Sequence, residues 1–301
     1  MIARCSRRLL AVALTGIACS SATPPPATPV ADESIAPAAT SAHGPAAPSE
    51  AVGTEASPQG QQLLADSKDA QPLPVAPEIQ QLVDAPDRDP ADRELDAGRH
   101  PAELLTFIGV KPNMRIAEIG SGTGYTAELL ARAAGPKGTV YAVNSPFILE
   151  RFAEQPWSQR LKKPAMKNVV RVDREFSDPL PPQAKRLDIV LNVLFYHDLY
   201  WMKVDRAKMN RAIFAALKPG GVYVIVDHNA RPGDGETQVQ TLHRIERALV
   251  EQEVQEAGFN FVGEADFLRN PNDMRDWNAS PRSAAERRGT SDRFVLKFAK
   301  P

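Results

Sequence analysis

Only two cysteines occur in the 301 residues, Cys5 and Cys19, and both lie within the first 19 positions. Disulfides, thiolate metal ligands and a cysteine nucleophile are therefore excluded from the rest of the chain. Charge of one sign is also lacking: 36 basic residues stand against 37 acidic ones, a net charge of −1, with no long basic run. Such a surface neutralises few phosphates, so nucleic acid is not an expected partner. The apolar stretch Leu9–Ala18 is about half of the ~20 residues that a membrane span requires. What the chain does have is 43% apolar and 24% charged residues, enough for one substantial core.

The N-terminus places Arg4, Arg7 and Arg8 before the apolar stretch and small residues around Cys19. That order is a secretory leader, which is set aside from the fold. Cys19 follows "TGIA" and resembles the lipidation site of bacterial lipoproteins, with Gly16 where that pattern prefers Leu. Lipidation at Cys19 and simple cleavage both stay open, as does a leader that is never used. Ser6-Arg7-Arg8-Leu9-Leu10 loosely resembles the twin-arginine signal that exports proteins already folded. Residues 20–90 are rich in Ala, Pro, Ser, Thr and Gln and hold about half of the chain's prolines. Few large apolar side chains are there to offset ordering entropy, so the expectation is a disordered tether, with an ordered Pro-rich arm as the alternative. The domain division is then 1–19 leader, 20–90 tether and 91–301 folded domain.

From residue 91 the pattern alternates. "ADRELDAGRHPAELLTFIG" predicts two short helices interrupted at Pro101; "MRIAEIG" is a buried strand and "TAELLARAAG" a helix stopped by Gly135-Pro136. Strands follow at "GTVYAVN", "NVVRV", "LDIVLNVLFY", "VYVIVDH", "FNFVGEA" and "RFVLKFA". Helices are expected over "RAKMNRAIFAALKPGG" and "HRIERALVEQEVQEAGF". Continuous apolar strands separated by helices imply an α/β fold: a doubly wound, mostly parallel seven-stranded sheet with N-terminal lid helices. Ligands of such sheets bind beyond the carboxyl ends of the strands, where strand order reverses. That directs attention to Gly120–Gly124, Asn144, Asp173–Asp178, Phe195–Asp198 and Asp227–Asn229.

The segment "AEIGSGTGY" at 117–125 puts Gly120, Gly122 and Gly124 at alternate positions, with Tyr125 next. A dinucleotide loop needs Gly-x-Gly-x-x-Gly, so this spacing argues against NAD or FAD. Strand, acid, Gly-x-Gly-x-Gly and helix in that order resemble the first motif of class I S-adenosylmethionine-dependent methyltransferases. "RLDIVLNVLFYHD" and "LKPGGVYVIVDH" resemble that superfamily's fourth strand and its turn into the fifth. Within it the chain is most similar to a group of predicted bacterial methyltransferases, many with signal sequences. The segments that carry this likeness are "LDAGRHPAELLTFIGVKP", "YHD", "HRI", "LRNPND" and "SDRFVLKF".

The resemblance implies S-adenosylmethionine as cofactor, held by the backbone of Gly120, Ser121, Gly122, Thr123 and Gly124, with Glu118 near its amino group and Tyr125 close by. The second strand of the superfamily ends in an acid that accepts both ribose hydroxyls; Asn144 stands there. An amide offers one acceptor and one donor group, so weaker binding is expected, or compensation by Asp173, Glu175 or Asp178.

Methyl transfer gains most of its rate from alignment, and a hydroxyl or amine acceptor also needs a base. Of five histidines, His197, His228 and His243 fall at or beyond strand ends. His197 is the expected base, with Asp198 to orient it and His228 second; Tyr196 and Tyr125 are placed to face the sulfonium. Strand-end capping is the bland reading of the histidines. His197, Asp198, Asp227 and His228 have the chemistry of a divalent metal site. Catechol-type methyltransferases carry an acid where this chain has Asn192 or Val193, so no resident metal is expected. Arg93, Asp96, Arg99 and His100 belong to the expected lid, and "LRNPND" is a polar loop that could border the acceptor. The expected partner is a small-molecule acceptor and the expected location is outside the cytoplasm. A non-catalytic envelope protein that has kept the fold is the alternative.

Overall fold

The computed structural model describes residues 73–301. The leader, Cys19 and most of the expected tether lie outside the described residues. The elements are α1 (Pro77–Val83), α2 (Pro90–Arg93), α3 (Asp96–Arg99), α4 (Pro101–Ile108), β1 (Arg115–Ile119), α5 (Tyr125–Ala134) and β2 (Thr139–Asn144). Then come α6 (Pro146–Ile148), a π-helical turn (Leu149–Ala153), α7 (Glu154–Arg160), β3 (Val169–Asp173), β4 (Leu187–Val193), α8 (Asp198–Trp201) and α9 (Arg206–Ala216). β5 (Leu217–His228), α10 (Arg247–Glu256), β6 (Asn260–Ala265) and β7 (Arg293–Ala299) complete the chain.

The seven strands form one sheet in the order β3-β2-β1-β4-β5-β7-β6. β1 pairs in parallel with β2 and β4, β2 with β3 and β4 with β5, whereas β7 runs antiparallel between β5 and β6. Strand alternation sorts side chains into a core on each face. Ala117, Ile119, Val190, Tyr223 and Ile225 pack on one side with Trp157 and Ile213. Ile116, Ile189, Leu191, Val224 and Val226 pack on the other with Leu104, Leu105, Leu129 and Leu130. Strand order reverses between β1 and β4, which puts the crevice at Gly120 and at the residues after Val193.

Three expectations need correction. A disordered tether reaching residue 90 is too long, because α1 is ordered and Val83 is buried in the core beside α4 and α5. Arg88, only 3% exposed, closes that segment: its guanidinium donates to Val83 O at 2.6 Å and to both oxygens of Asp96 at 2.6 and 2.8 Å. The fourth strand stops at Val193 rather than Tyr196, since Leu194 takes a left-handed φ of 57° and turns the chain. The helix expected from His243 begins at Arg247. His243 has a left-handed φ of 50°, and Ile245, fully buried, bridges to Asn229 beyond the end of β5. Among the described residues, no helix is long and apolar enough to cross a membrane.

Candidate functional site

A cavity of about 540 Å³ opens at the reversal point of the sheet, within the ordinary range for small-ligand sites. One wall is the glycine loop. Gly120 has φ of 76°, and a Cβ there would stand 2.2 Å from the ring of Phe195, so only glycine permits this approach of β1 and β4. Gly124 has φ of 88° and is closed in by Trp157, to which a Cβ would come within 2.3 Å. Gly120, Ser121, Gly122 and Thr123 face the cavity; Gly124 instead seats the start of α5 on Trp157.

Glu118 also faces the cavity, 3% exposed, and its Oε2 has no hydrogen-bond partner among the described residues. Burial pushes its carboxyl up to about 7, against the lowering pull of Ser121, Thr126 and the Arg99 and Arg160 charges. A buried acid with an unpartnered oxygen on the cavity wall suits a ligand that brings an ammonium group. The lid contributes Asp92 and Arg99 to the same wall. Arg160 clamps this region, donating to Thr123 O at 2.6 Å, to Asp92 Oδ1 at 2.9 Å and to Glu128 Oε2 at 2.7 Å. Glu128, 1% exposed, further binds Arg132 and Lys163, which locks loop, lid and α5 together.

The opposite wall is made of histidines. His197 is 3% exposed, and its backbone N and Nδ1 both meet the Asp227 carboxylate, at 2.8 and 2.7 Å. Its Nε2 lies 3.2 Å from Asp198 Oδ1 and 3.2 Å from His243 Nδ1. Burial pulls the imidazole down, but the charges of Asp227 and Asp198 outweigh it and push His197 up to about 10. His228 sits beside it, the ring centroids 5.8 Å apart, with Nδ1 at 2.7 Å from Ser291 Oγ. Burial, then the charges of His197, Arg293 and Arg244, hold His228 well below the ordinary histidine range. The rim is completed by Ser280, Pro281, Arg282 and Arg288.

Several sequence-predicted residues are placed elsewhere. Asn144 is fully buried and spends its amide on the glycine loop: Oδ1 accepts from Gly122 N at 2.8 Å and Nδ2 donates to Gly122 O at 3.0 Å. It is not free for a ribose. Asp173 and Glu175 are exposed and do not line the cavity; Asp173 is engaged by Arg171 at 2.9 Å. Tyr196, fully buried, is a core residue whose hydroxyl donates to Glu253 at 2.8 Å and accepts from Asn210 at 2.9 Å. Tyr125 reaches the cavity, but Arg99 lies 4.4 Å over its ring and its hydroxyl donates to Asp96 at 2.6 Å, so the aromatic face is already taken. Asn192 lies within the sheet between Ile119 and Ile225 and does not line the cavity.

Asp227 and His243, noted in the sequence but given no catalytic role there, both join the site through His197. His243 is held by the next residue: Arg244, fully buried, donates to Asp273 at 2.9 Å and to Asn229 O at 3.1 Å. Asp273 comes from "LRNPND", which therefore braces the wall from behind instead of facing an acceptor.

Residues 82–175 match the family described as protein-L-isoaspartate(D-aspartate) O-methyltransferase. The protein-L-isoaspartate O-methyltransferase of Pyrococcus horikoshii is 27% identical over 143 residues, 48% of this chain and 57% of that one. That of Ignicoccus hospitalis is 26% identical over 156 residues, 52% of this chain and 64% of that one. The chain thus spans somewhat over half the length of these curated relatives. Among solved structures, an S-adenosylmethionine-dependent methyltransferase from Aquifex aeolicus superposes with a TM-score of 0.50 at 19% identity, over 74% of this chain and 97% of the other. The fold is that of the class I S-adenosylmethionine-dependent methyltransferases. The glycine loop and Glu118 line this cavity together with His197, His228 and His243.

Proposed function

We propose that this chain is an S-adenosylmethionine-dependent methyltransferase acting on a small-molecule acceptor. The observation that carries the reading is one cavity with two chemically different walls: an unpartnered buried acid on a glycine loop, and facing it a cluster of histidines and acids. When bound, S-adenosylmethionine supplies an electrophilic methyl group on a sulfonium. Glu118 would take its ammonium group, the Gly120–Thr123 backbone would hold the methionine part, and Asp92 and Arg99 of the lid would cover it. Binding with the reacting groups in line supplies most of the acceleration.

The expectation that His197 is the base is revised. With Asp227 and Asp198 holding its proton, His197 carries charge near neutral pH, whereas His228 is kept neutral and faces the same cavity. His228 is the better-placed proton acceptor. His228→Gln is expected to lower turnover by about a hundred-fold or more, the usual range for loss of a general base, while cofactor affinity stays at the wild-type level.

Isoaspartyl protein is the second acceptor class to weigh, because the family match points to it. The match runs over residues 82–175, however, and so contains the cofactor wall but none of His197, Asp198, His228 or His243. The family match therefore supports the cofactor wall and leaves the acceptor class to be argued from the histidine wall. Isothermal titration of the full chain with S-adenosylmethionine and its demethylated product is expected to give one site per chain; absence of heat at millimolar ligand would remove the methyltransferase reading. Transfer of labelled methyl to an isoaspartyl peptide would move the acceptor from small molecule to protein.

The leader, and the likeness to predicted methyltransferases with signal sequences, support residence outside the cytoplasm, tethered through Cys19 where it is lipidated. Because S-adenosylmethionine is made in the cytoplasm, the same leader favours a second reading, a non-catalytic envelope protein that retains the fold. Cell fractionation separates the two: a mature envelope form without cofactor binding supports the second, a cytoplasmic form the first.

A further inference from the structure

The histidine wall has a geometry that methyl transfer by itself does not require. His197 Nε2, Asp198 Oδ1 and His243 Nδ1 form a triangle with edges of 3.2, 3.2 and 3.5 Å, and all three residues face the cavity. Metal–ligand bonds of about 2.0–2.1 Å at tetrahedral angles place neighbouring ligand atoms about 3.3–3.4 Å apart. An octahedral site with similar bonds brings them to about 2.9–3.0 Å. Edges of 3.2–3.5 Å lie nearer the tetrahedral spacing than the octahedral one.

The support around these atoms is that of a metal site as well. Nδ1 of His197 is held by Asp227 at 2.7 Å, which fixes the ring, so that an ion arriving at Nε2 displaces the proton shared there with Asp198 and His243. Asp198 Oδ1 accepts from Trp201 Nε1 at 2.7 Å, which fixes the carboxylate. His243 is set at its left-handed φ of 50° by the bridge at Ile245 and the buried Arg244–Asp273 pair, which fix the direction of its ring. Two imidazoles and one carboxylate with an open fourth position suit a borderline divalent transition ion, zinc above calcium or magnesium.

We propose that His197, Asp198 and His243 bind a divalent zinc-type ion at the acceptor end of the cavity, with its fourth position open to the cavity. The site stands on these donors alone. Its use, to take an acceptor oxygen and lower that oxygen's proton affinity, rests on the methyltransferase reading. This replaces the expectation of no metal, which followed from looking for an acid at Asn192 or Val193.

The test uses the full-length chain, dialysed against zinc sulfate and desalted, with zinc counted by mass spectrometry and cobalt(II) as a spectroscopic substitute. The leader cysteines and other histidines can also hold zinc, so the readout is the difference between variants. One ion per chain is expected to be lost in His243→Ala and to dissociate about 10- to 100-fold more readily in Asp227→Asn, as for outer-shell partners elsewhere. The cobalt form should show intense four-coordinate visible bands. Equal zinc content in wild type and His243→Ala, both with native circular dichroism, would overturn the site, and so would a weak six-coordinate cobalt spectrum. If His243→Ala fails to fold, Asp198→Asn is read by the same rule. None of these measurements needs the methyl donor, so failure here is distinct from failure of the methyltransferase reading.

Discussion

The two walls of the cavity are built in opposite ways. The cofactor wall is nearly continuous in sequence: Glu118 through Thr126 supply the acid, the glycine loop and the start of α5, and a charge network through Arg160 and Glu128 fastens the lid to it. The acceptor wall gathers His197, Asp227 and His243 across separations of 30 and 46 residues, and then braces them from behind with Arg244 and Asp273. A contiguous wall is dictated by local backbone geometry; a dispersed one depends on tertiary register. If the contrast holds, damage to one wall should leave the other working, except where they touch.

They touch at Gly120 and Phe195, and there the largest effect is expected. In Gly120→Ala the new Cβ meets the Phe195 ring at 2.2 Å, at φ of 76°. Phe195 is buried and its ring is tilted against that of Phe176, centroids 4.8 Å apart, so it has little room to retreat. Overpacking and the left-handed penalty together cost about 2–5 kcal/mol, and affinity for S-adenosylmethionine should fall by two orders of magnitude or more. Thermal melting and titration calorimetry check both; near-native values for both would mean that the walls are not mechanically joined at this point.

Asp273→Ala tests the acceptor wall alone. Arg244 and Asp273 have side-chain exposures of 0% and 1%, so removing the acid strands a buried guanidinium. Loss of one partner of a buried pair costs about 3–5 kcal/mol, measurable as a lower midpoint in urea. S-adenosylmethionine affinity of the folded fraction should be unchanged, and a parallel loss of affinity would break the proposed independence.

The same contrast explains what was legible in the sequence. The sheet, its strand assignments and the glycine loop could be read because apolar alternation and glycine spacing act over a few residues. Two of the three departures from expectation, at Leu194 and His243, are non-glycine residues in left-handed conformation, which no composition signal announces. The turn at Leu194 also changes which way the following residues face, and so Tyr196 enters the core while His197 reaches the cavity. His243 and Asp227 carry the right chemistry in plain view, but only tertiary structure brings them to His197. Likewise nothing local reveals that a helix as small as α1 packs against α4 and α5.

Asn144→Asp turns the sequence-based reading into a measurement on the cofactor wall. The superfamily pattern implies that an acid here would strengthen ribose binding. In this chain Nδ2 donates to Gly122 O at 3.0 Å within a fully buried site, and a carboxylate would remove that donor and face the carbonyl with charge. An unsatisfied buried group costs about 1–3 kcal/mol, so the variant should be less stable and bind S-adenosylmethionine more weakly than wild type. Tighter binding would show that the ribose does reach residue 144.

The smallest effect expected is a pH dependence confined to the cofactor wall. Burial has raised the Glu118 carboxyl to about 7, and a ligand ammonium favours the ionised acid. The sign follows: at low pH the acid is protonated and binding must first displace that proton, so affinity rises as pH rises through about 7. A group titrating near 7 is about one-tenth ionised at pH 6 and nine-tenths at pH 8, which predicts roughly ten-fold tighter binding at pH 8. Calorimetric titrations of S-adenosylmethionine across that range, repeated with Glu118→Gln, separate this group from the histidines opposite. The variant should bind weakly and with a flat profile, because its amide does not titrate. If the slope survives in Glu118→Gln, the proton being displaced belongs to the histidine wall, and cofactor binding senses the acceptor end after all.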